Sequence, residues 1–250
     1  MEPTARFLLG TYNLWATNRW PERAEPLRSF LKTTFPDVLA LQELRPETRQ
    51  LLDETLDRHT RVEDPFEGWI REGNIYWRTD LFEQLEYGAE AIEIKEPLRR
   101  LFWVRLRHKS SGVRLLVATA HLTWQGHPDE VQHHINPRPR QAALAAEALE
   151  RLAKGVDGVF FVGDFNEATN AINVLRRAGF KDTFRDRGVL QPTTHPAFST
   201  PRSVPQVLDW QLYRGAVRVL AAEVVDFFAG EMAPSDHKPL LVVYEVGQSG

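Results

Sequence analysis

Apolar runs broken at short intervals by polar and turn-forming residues dominate this chain, and their period separates extended from helical segments. Residues 7–14 and 38–42 are almost continuously apolar and predict buried strands, while residues 21–34 carry Leu27, Phe30 and Leu31 at helical spacing. Residues 46–56 predict a second helix, with Pro46 in its first turn. Strands are predicted at 74–77, 91–94, 101–106 and 113–122, the last two joined as a hairpin through Lys109-Ser110-Ser111-Gly112. An alanine- and leucine-rich stretch at 138–152 predicts a long helix, followed by a strand at 158–162 and a helix at 171–178 that Gly179 ends. Three further strands are predicted at 207–213, 217–225 and 240–246.

Strands outnumber helices, neighbouring strands are hairpin-linked in places, and the helices fall between strands. That pattern predicts a mixed α/β domain of two packed sheets with helices outside. No internal repeat is visible. The stretch 191–205, rich in Pro, Thr and Ser, reads as a long loop and not as an interdomain joint, because strands on both sides are needed to complete a sheet. One domain over residues 1–247 is therefore expected, with a disordered tail at 248–250.

Composition narrows the chemistry. The chain has 250 residues, 42% of them hydrophobic, enough for a substantial core. Its 31 basic and 34 acidic residues give a formal net charge of -3, so no global positive field draws it to nucleic acid or to an anionic membrane. The absence of cysteine excludes disulfides, a thiolate nucleophile and thiolate-bound zinc. Near the N-terminus only Phe7-Leu8-Leu9 forms an apolar run, so neither a signal-peptide core nor a membrane span is predicted; a cytoplasmic location and a monomer are expected.

Polar residues sit where the predicted strands end. Asn13, Glu43 and His121 each close an apolar run, and Gly163-Asp164-Phe165-Asn166 closes another. Asp164 and Asn166 are two apart on an extended segment, so their side chains leave the same face and can grip one phosphate or one attacking water. Such residues gather at one rim of a sheet. Asp209 lies inside an otherwise apolar strand, where an ionised carboxylate costs free energy unless paired, and His237 in Ser235-Asp236-His237 is its candidate partner. Each short motif alone also reads as a turn or a cap.

Taken together, Thr11-Tyr12-Asn13, Leu41-Gln42-Glu43, Ala120-His121-Leu122, Gly163-Asp164-Phe165-Asn166, Leu208-Asp209-Trp210 and Ser235-Asp236-His237 resemble the endonuclease/exonuclease/phosphatase superfamily, the relatives of pancreatic-type deoxyribonuclease. Six motifs in order span essentially the whole chain. The resemblance implies a four-layer α/β sandwich, two packed mixed β-sheets flanked by helices, with the active site at one edge. It also implies a divalent cation, usually Mg2+ with Mn2+ as a substitute, and water as nucleophile.

By the same resemblance Glu43 would be the principal metal ligand, assisted by Asn13, with Asp236 serving the metal or positioning His237. A hard carboxylate oxygen suits a hard cation. His237, paired with Asp209, would act as general base or bind the scissile phosphate. Asp164 would orient or deprotonate the water, Asn166 would donate to the phosphoryl oxygen, and His121 would contact the phosphate or protonate the leaving oxygen. Asn74, Arg140 and Trp124 are the substrate-side candidates, Arg140 beginning the long helix together with Gln141.

Two departures qualify the transfer. Some nucleases of the family carry an acidic residue where this chain has Trp15, which favours a single metal, and abasic-site nucleases place asparagine where Trp124 stands. The segment from Gly126 to Ile135 holds His127, His133 and His134, as a substrate-shaping loop, a second cation site or solvated side chains. The leading expectation is a Mg2+-dependent hydrolase of phosphodiesters, a nuclease first, with nucleic acid as its substrate partner. A small-molecule or lipid-headgroup phosphodiesterase or phosphatase is the alternative, and a silent binding module on the same scaffold the third reading.

Overall fold

A computed structural model of the chain describes residues 3–198 and 204–248. Within them the two-residue period of the apolar strands serves two cores at once. Phe7 and Leu9 face one cluster while Tyr12 and Leu14 face another, and the same split separates Val38 and Ala40 from Leu39 and Leu41. Downstream, Leu115, Val117, Phe160 and Val162 join the first cluster, whereas Leu116, Ala118, Val159 and Phe161 join a third. Strands buried on both faces need a layer on each side, which dictates four layers.

In chain order the strands are β1 (Thr4–Asn13), β2 (Val38–Gln42), β3 (His59–Arg61), β4 (Gly73–Arg78), β5 (Phe82–Glu90), β6 (Leu101–His108), β7 (Arg114–His121), β8 (Gly158–Asp164), β9 (Lys181–Asp182), β10 (Asp209–Gly215), β11 (Val217–Val224) and β12 (Leu240–Gly247). The helices are α1 (Ala24–Thr34), α2 (Pro46–Thr55), α3 (Gly68–Arg71), α4 (Pro128–His133), α5 (Arg138–Leu152), α6 (Asn170–Arg177) and α7 (Thr183–Asp186). They build two six-stranded mixed sheets, in the orders β11-β12-β1-β2-β4-β3 and β5-β6-β7-β8-β10-β9.

The sheets pack face to face through an aromatic-rich interior in which Phe160 meets Phe7 at 5.5 Å and Tyr244 at 4.8 Å between ring centroids. Such edge and tilted contacts add about 0.5–1.5 kcal/mol per pair beyond area burial. Leu27, Phe30 and Leu31 of α1, with Leu51 and Leu52 of α2, cover the outside of the first sheet. Ala142, Ala145 and Leu149 of α5, with Ile172 and Leu175 of α6, cover the second. This is the four-layer α/β sandwich.

The predicted strand at 91–94 is not a strand. The edge strand is β5 immediately upstream, and residues 83–86 in it are solvent-exposed, so its pattern carries no buried alternation to read. Ile92 is nevertheless buried, packed on the α5 side of the second sheet. The predicted hairpin at 109–112 forms, with Gly112 at φ 75° donating from its N–H to the His108 carbonyl at 2.8 Å. In the long loop, His195 bridges to Gln206. Of the expected tail, residues 249 and 250 lie outside the described residues, and the Gln248 side chain donates to the Ser111 carbonyl at 3.1 Å. No helix among the described residues is long and apolar enough to cross a membrane.

Candidate active site

Register brings the polar strand ends together. β1 and β2 run parallel with Asn13 opposite Gln42, and Glu43 follows; β7 and β8 run parallel with His121 opposite Asp164. β10 is antiparallel to β8 and begins with Asp209 opposite Asp164. β12 is antiparallel to β1, Leu240 facing Thr11, so His237 enters at the same rim. Gly163 allows the closest approach: at φ 142° a Cβ there would stand 2.2 Å from the Ala120 carbonyl oxygen.

Asp164 is the hub. It is 1% exposed and accepts from Asn13 Nδ2 at 2.9 Å and from the Asn166 backbone N–H at 2.9 Å. His121 Nε2 lies 3.3 Å from its carboxylate and His237 Nε2 lies 3.7 Å away. On the other side of its ring, His237 Nδ1 pairs with Asp209 Oδ2 at 2.8 Å. Asn13 Nδ2 also reaches Glu43 Oε1 at 3.2 Å, and His121 Nδ1 lies 3.9 Å from that oxygen. Ser235 ties the two halves, its hydroxyl donating to the Asn13 carbonyl at 2.7 Å while accepting from the His237 N–H at 3.2 Å. Two buried polar atoms in this cluster, Asp209 Oδ1 and His121 Nδ1, have no hydrogen-bond partner among the described residues. Unsatisfied groups of this kind are costly, and they concentrate where a site serves a ligand.

The same burial shapes protonation. It pushes the Asp164 carboxyl up, to about 7; the His237 charge opposes the shift and the Asp209 charge adds to it. Burial also works against a charged His237, but Asp209 and Asp164 outweigh it and hold the imidazolium up to about 10. His121 goes the other way. Burial, then the positive charges of Arg99, His237 and Arg45, hold it well below the ordinary histidine value, so it is neutral. One protonated imidazole therefore faces a carboxyl poised near neutrality, beside a second, neutral imidazole.

The model of the endonuclease/exonuclease/phosphatase family matches residues 10–237, a span that takes in every residue of this cluster. The chain belongs to that family. Members of the endonuclease/exonuclease/phosphatase family are divalent-metal-dependent phosphoester hydrolases. A search of curated proteins finds no match. Among solved structures, the chain is similar in fold to D. rerio TDP2 complexed with a single strand DNA product, at 19% identity and TM-score 0.80 over 96% of this chain and 99% of that one. It is equally similar to the mannosyl-6-phosphatase Bt3783 of Bacteroides thetaiotaomicron, at 18% identity and TM-score 0.80 over 95% and 99%. The human Nocturnin catalytic domain with bound sulfate follows at 16% identity and TM-score 0.75 over 98% and 97%.

Two of the expected substrate-side residues sit differently. Asn74 is not a substrate-side group. It is 1% exposed and spends its whole amide internally: Nδ2 donates to the Val62 and Trp69 carbonyls at 3.0 and 2.9 Å, and Oδ1 accepts from the Val62 and Ile75 N–H groups at 3.2 and 2.8 Å. Asn74→Ala is expected to cost about 3 kcal/mol by orphaning those four backbone groups. A urea midpoint shift with KM unchanged checks this structural role. Arg140 is exposed and reaches Glu93 at 3.4 Å, lining a cleft of about 270 Å³ with Lys95, Asp129 and His133 and not the carboxylate–imidazole cluster. The Asn13 amide is held on both sides: Oδ1 accepts from the Trp15 N–H at 2.9 Å, and Nδ2 donates to Glu43 and Asp164, which aligns those two carboxylates.

The remaining candidates lie at the rim. Asn166, at φ 48°, uses one amide hydrogen on the Leu122 carbonyl at 3.0 Å, and the other has no acceptor among the described residues. Asp236 Oδ1 lies 3.4 Å from the Ser235 hydroxyl oxygen, and Oδ2 lies 3.8 Å from His195 Nε2. Trp124 is 45% exposed, beside His127, and its neighbour Gln125 donates to the Asn166 carbonyl at 2.9 Å. The histidines of the 126–135 segment serve the short helix α4 locally: His127 Nδ1 caps its start, His133 Nδ1 meets the Asp129 carbonyl at 2.9 Å, and His134 ends it at φ 54°.

Sequence reading missed Arg23. An arginine at a helix start reads as solvated, yet Arg23 is fully buried and donates to the carbonyls of Leu14, Trp15, Ala16, Asn18 and Pro234. It thereby pins the loop after Asn13, where Trp15 and Ala16 hold φ 57° and 47°, to the segment preceding Ser235. A planar fork with five donors suits that task and lysine does not.

Proposed function

We propose that the protein is a Mg2+-dependent phosphodiesterase using water as nucleophile, a nuclease in the first instance, acting in the cytoplasm. The convergence of Glu43, Asp164 and the His237–Asp209 pair on one rim carries the reading. The donor set fits a hard divalent cation: Glu43 offers a partly exposed carboxylate oxygen that Asn13 orients. When bound, such an ion supplies Lewis-acid charge to a phosphoryl oxygen and lowers the pKa of water.

The chain's own groups do the rest. Asp164, poised near neutral pH, holds the attacking water and accepts its proton. His237, held protonated by two carboxylates, donates from Nε2 to a phosphoryl oxygen as charge develops there, and Asp209 fixes its tautomer. Of the two roles open to His237, phosphate binding is the one its protonation supports. Asn166 adds its second amide hydrogen to the same oxygen.

For the substrate, Trp124 is exposed at the rim and Trp15 packs 6.0 Å from Phe198, surfaces on which bases can stack. That supports nucleic acid. The formal charge of -3 and the equal similarity to a mannosyl-6-phosphatase favour a small phosphorylated substrate as the second reading. Hydrolysis of single-stranded, duplex and abasic DNA, RNA, sphingomyelin and inositol phosphates, each with and without Mg2+, decides between them. Cleavage of none of these would overturn the proposal.

A further inference from the structure

His195 belongs to none of the motifs that mark the family, yet its imidazole stands over the site. Its ring centroid is 4.9 Å from that of His237, and its Nε2 is 3.8 Å from Asp236 Oδ2. One ligand atom from each of His195, Asp236 and His237 lies within 4.8 Å of the others. The placement is built in. Thr194 Oγ1 accepts from the backbone N–H groups of Leu208 and Asp209 at 3.0 and 3.1 Å, and the Thr194 carbonyl accepts from Lys238 N–H at 2.7 Å. His195 and Gln206 exchange both backbone hydrogen bonds, at 3.1 and 2.7 Å. The loop is thus stitched on one side to the strand carrying Asp209 and on the other to the segment carrying His237.

The donors have a definite preference. Two imidazole nitrogens and one carboxylate oxygen suit a borderline transition-metal ion, whereas Mg2+ takes oxygen ligands and keeps its water. His237 is 7% exposed, and its Nε2 makes no hydrogen bond among the described residues, while Asp209 Oδ2 holds Nδ1 at 2.8 Å. A carboxylate behind the imidazole, with the far nitrogen left without a hydrogen bond among the described residues, is the arrangement that orients metal-binding histidines.

We propose that His195, Asp236 and His237 form a second cation site, selective for Zn2+ or a similar transition-metal ion over Mg2+, whose occupation blocks hydrolysis. The ion takes the Nε2 lone pair of His237 in place of a proton. The phosphate then loses its imidazolium donor. Only this inhibitory consequence rests on the hydrolase reading; the binding does not.

Calorimetric titration of the whole protein with Zn2+, in saturating Mg2+ and without substrate, tests the site. Wild type is expected to take up one equivalent, and His195→Gln to bind it at least about tenfold more weakly, since altering even the partners of metal ligands typically costs that much. Circular dichroism establishes that the variant is folded, and Asp236→Asn gives an independent second loss. With a cleavable substrate, His195→Gln should need correspondingly more Zn2+ for half-inhibition relative to its own zinc-free rate. No uptake by wild type, or equal affinity in folded His195→Gln, overturns the site. Uptake that leaves an active wild type uninhibited overturns the inhibitory role.

Discussion

Replacing His237 with alanine is expected to lower kcat for phosphodiester hydrolysis by about three orders of magnitude at every Mg2+ concentration, the scale of a lost proton donor in a pre-organised site. No extra metal compensates, because the imidazole serves the phosphate and not the ion. The same change destabilises the fold. Asp209 is 1% exposed, its Oδ1 has no partner among the described residues and its Oδ2 is held by His237, so truncation strands a buried charge, which costs about 3–5 kcal/mol. Adding Asp209→Asn to His237→Ala removes that charge and should recover part of the stability while leaving activity lost. Steady-state kinetics and urea midpoints on the single and double variants separate the two effects, and a fully active His237→Ala would refute the role.

Asp164→Asn is expected to reduce kcat by about 10²–10⁴-fold with little change in KM, since the amide keeps the shape but cannot accept the proton. Its stability should move the opposite way. The folded-state pKa of Asp164 is raised from an ordinary carboxyl value to about 7, so the unfolded chain gives up this proton more readily than the native one. Stability contributed by the protonated carboxyl is complete below about pH 4 and is lost as pH rises through about 7. In metal-free protein the asparagine variant should therefore gain on wild type across that window and hold its advantage above it. Thermal melts at pH 4 and pH 8 test this, and an advantage confined to pH 4 would contradict the assignment.

The rim was legible in the sequence because β1, β2, β7 and β8 each end in, or run directly into, a polar residue after an apolar run. Asn13, Glu43, His121 and Asp164 follow directly from that rule, and Asp209 betrayed itself as a carboxylate in an apolar strand. Asn74, expected on the substrate side from the resemblance as a polar residue before a strand, is turned elsewhere. β4 begins at the same rim, antiparallel to β2 with Gly73 opposite Gln42, but the Asn74 side chain turns to the Val62 and Trp69 backbone. Position along a strand locates a rim; only the face decides whether a side chain serves it.

The rest was invisible for identifiable reasons. β5 is an edge strand whose exposed stretch carries no alternation. Arg23 is buried by carbonyls that a folded loop supplies, and no spacing announces them. His195 sits in a loop without periodicity, and its backbone bonds to Gln206, with that of Thr194 to Lys238, bring it to the site. The layers, in contrast, were encoded in apolar strands too hydrophobic to have a solvent face.

The central claim is hydrolysis assisted by a divalent ion held at Glu43. It is tested most directly by the initial rate of cleavage of a simple phosphodiester by chelator-treated protein during Mg2+ titration, wild type against Glu43→Gln. Wild type should be inert without the ion and regain full rate on its addition, and the variant's curve should shift to at least about tenfold higher Mg2+, the scale of a lost metal contact. Cleavage that persists in chelator, or a Glu43→Gln curve that overlies wild type, would contradict the account.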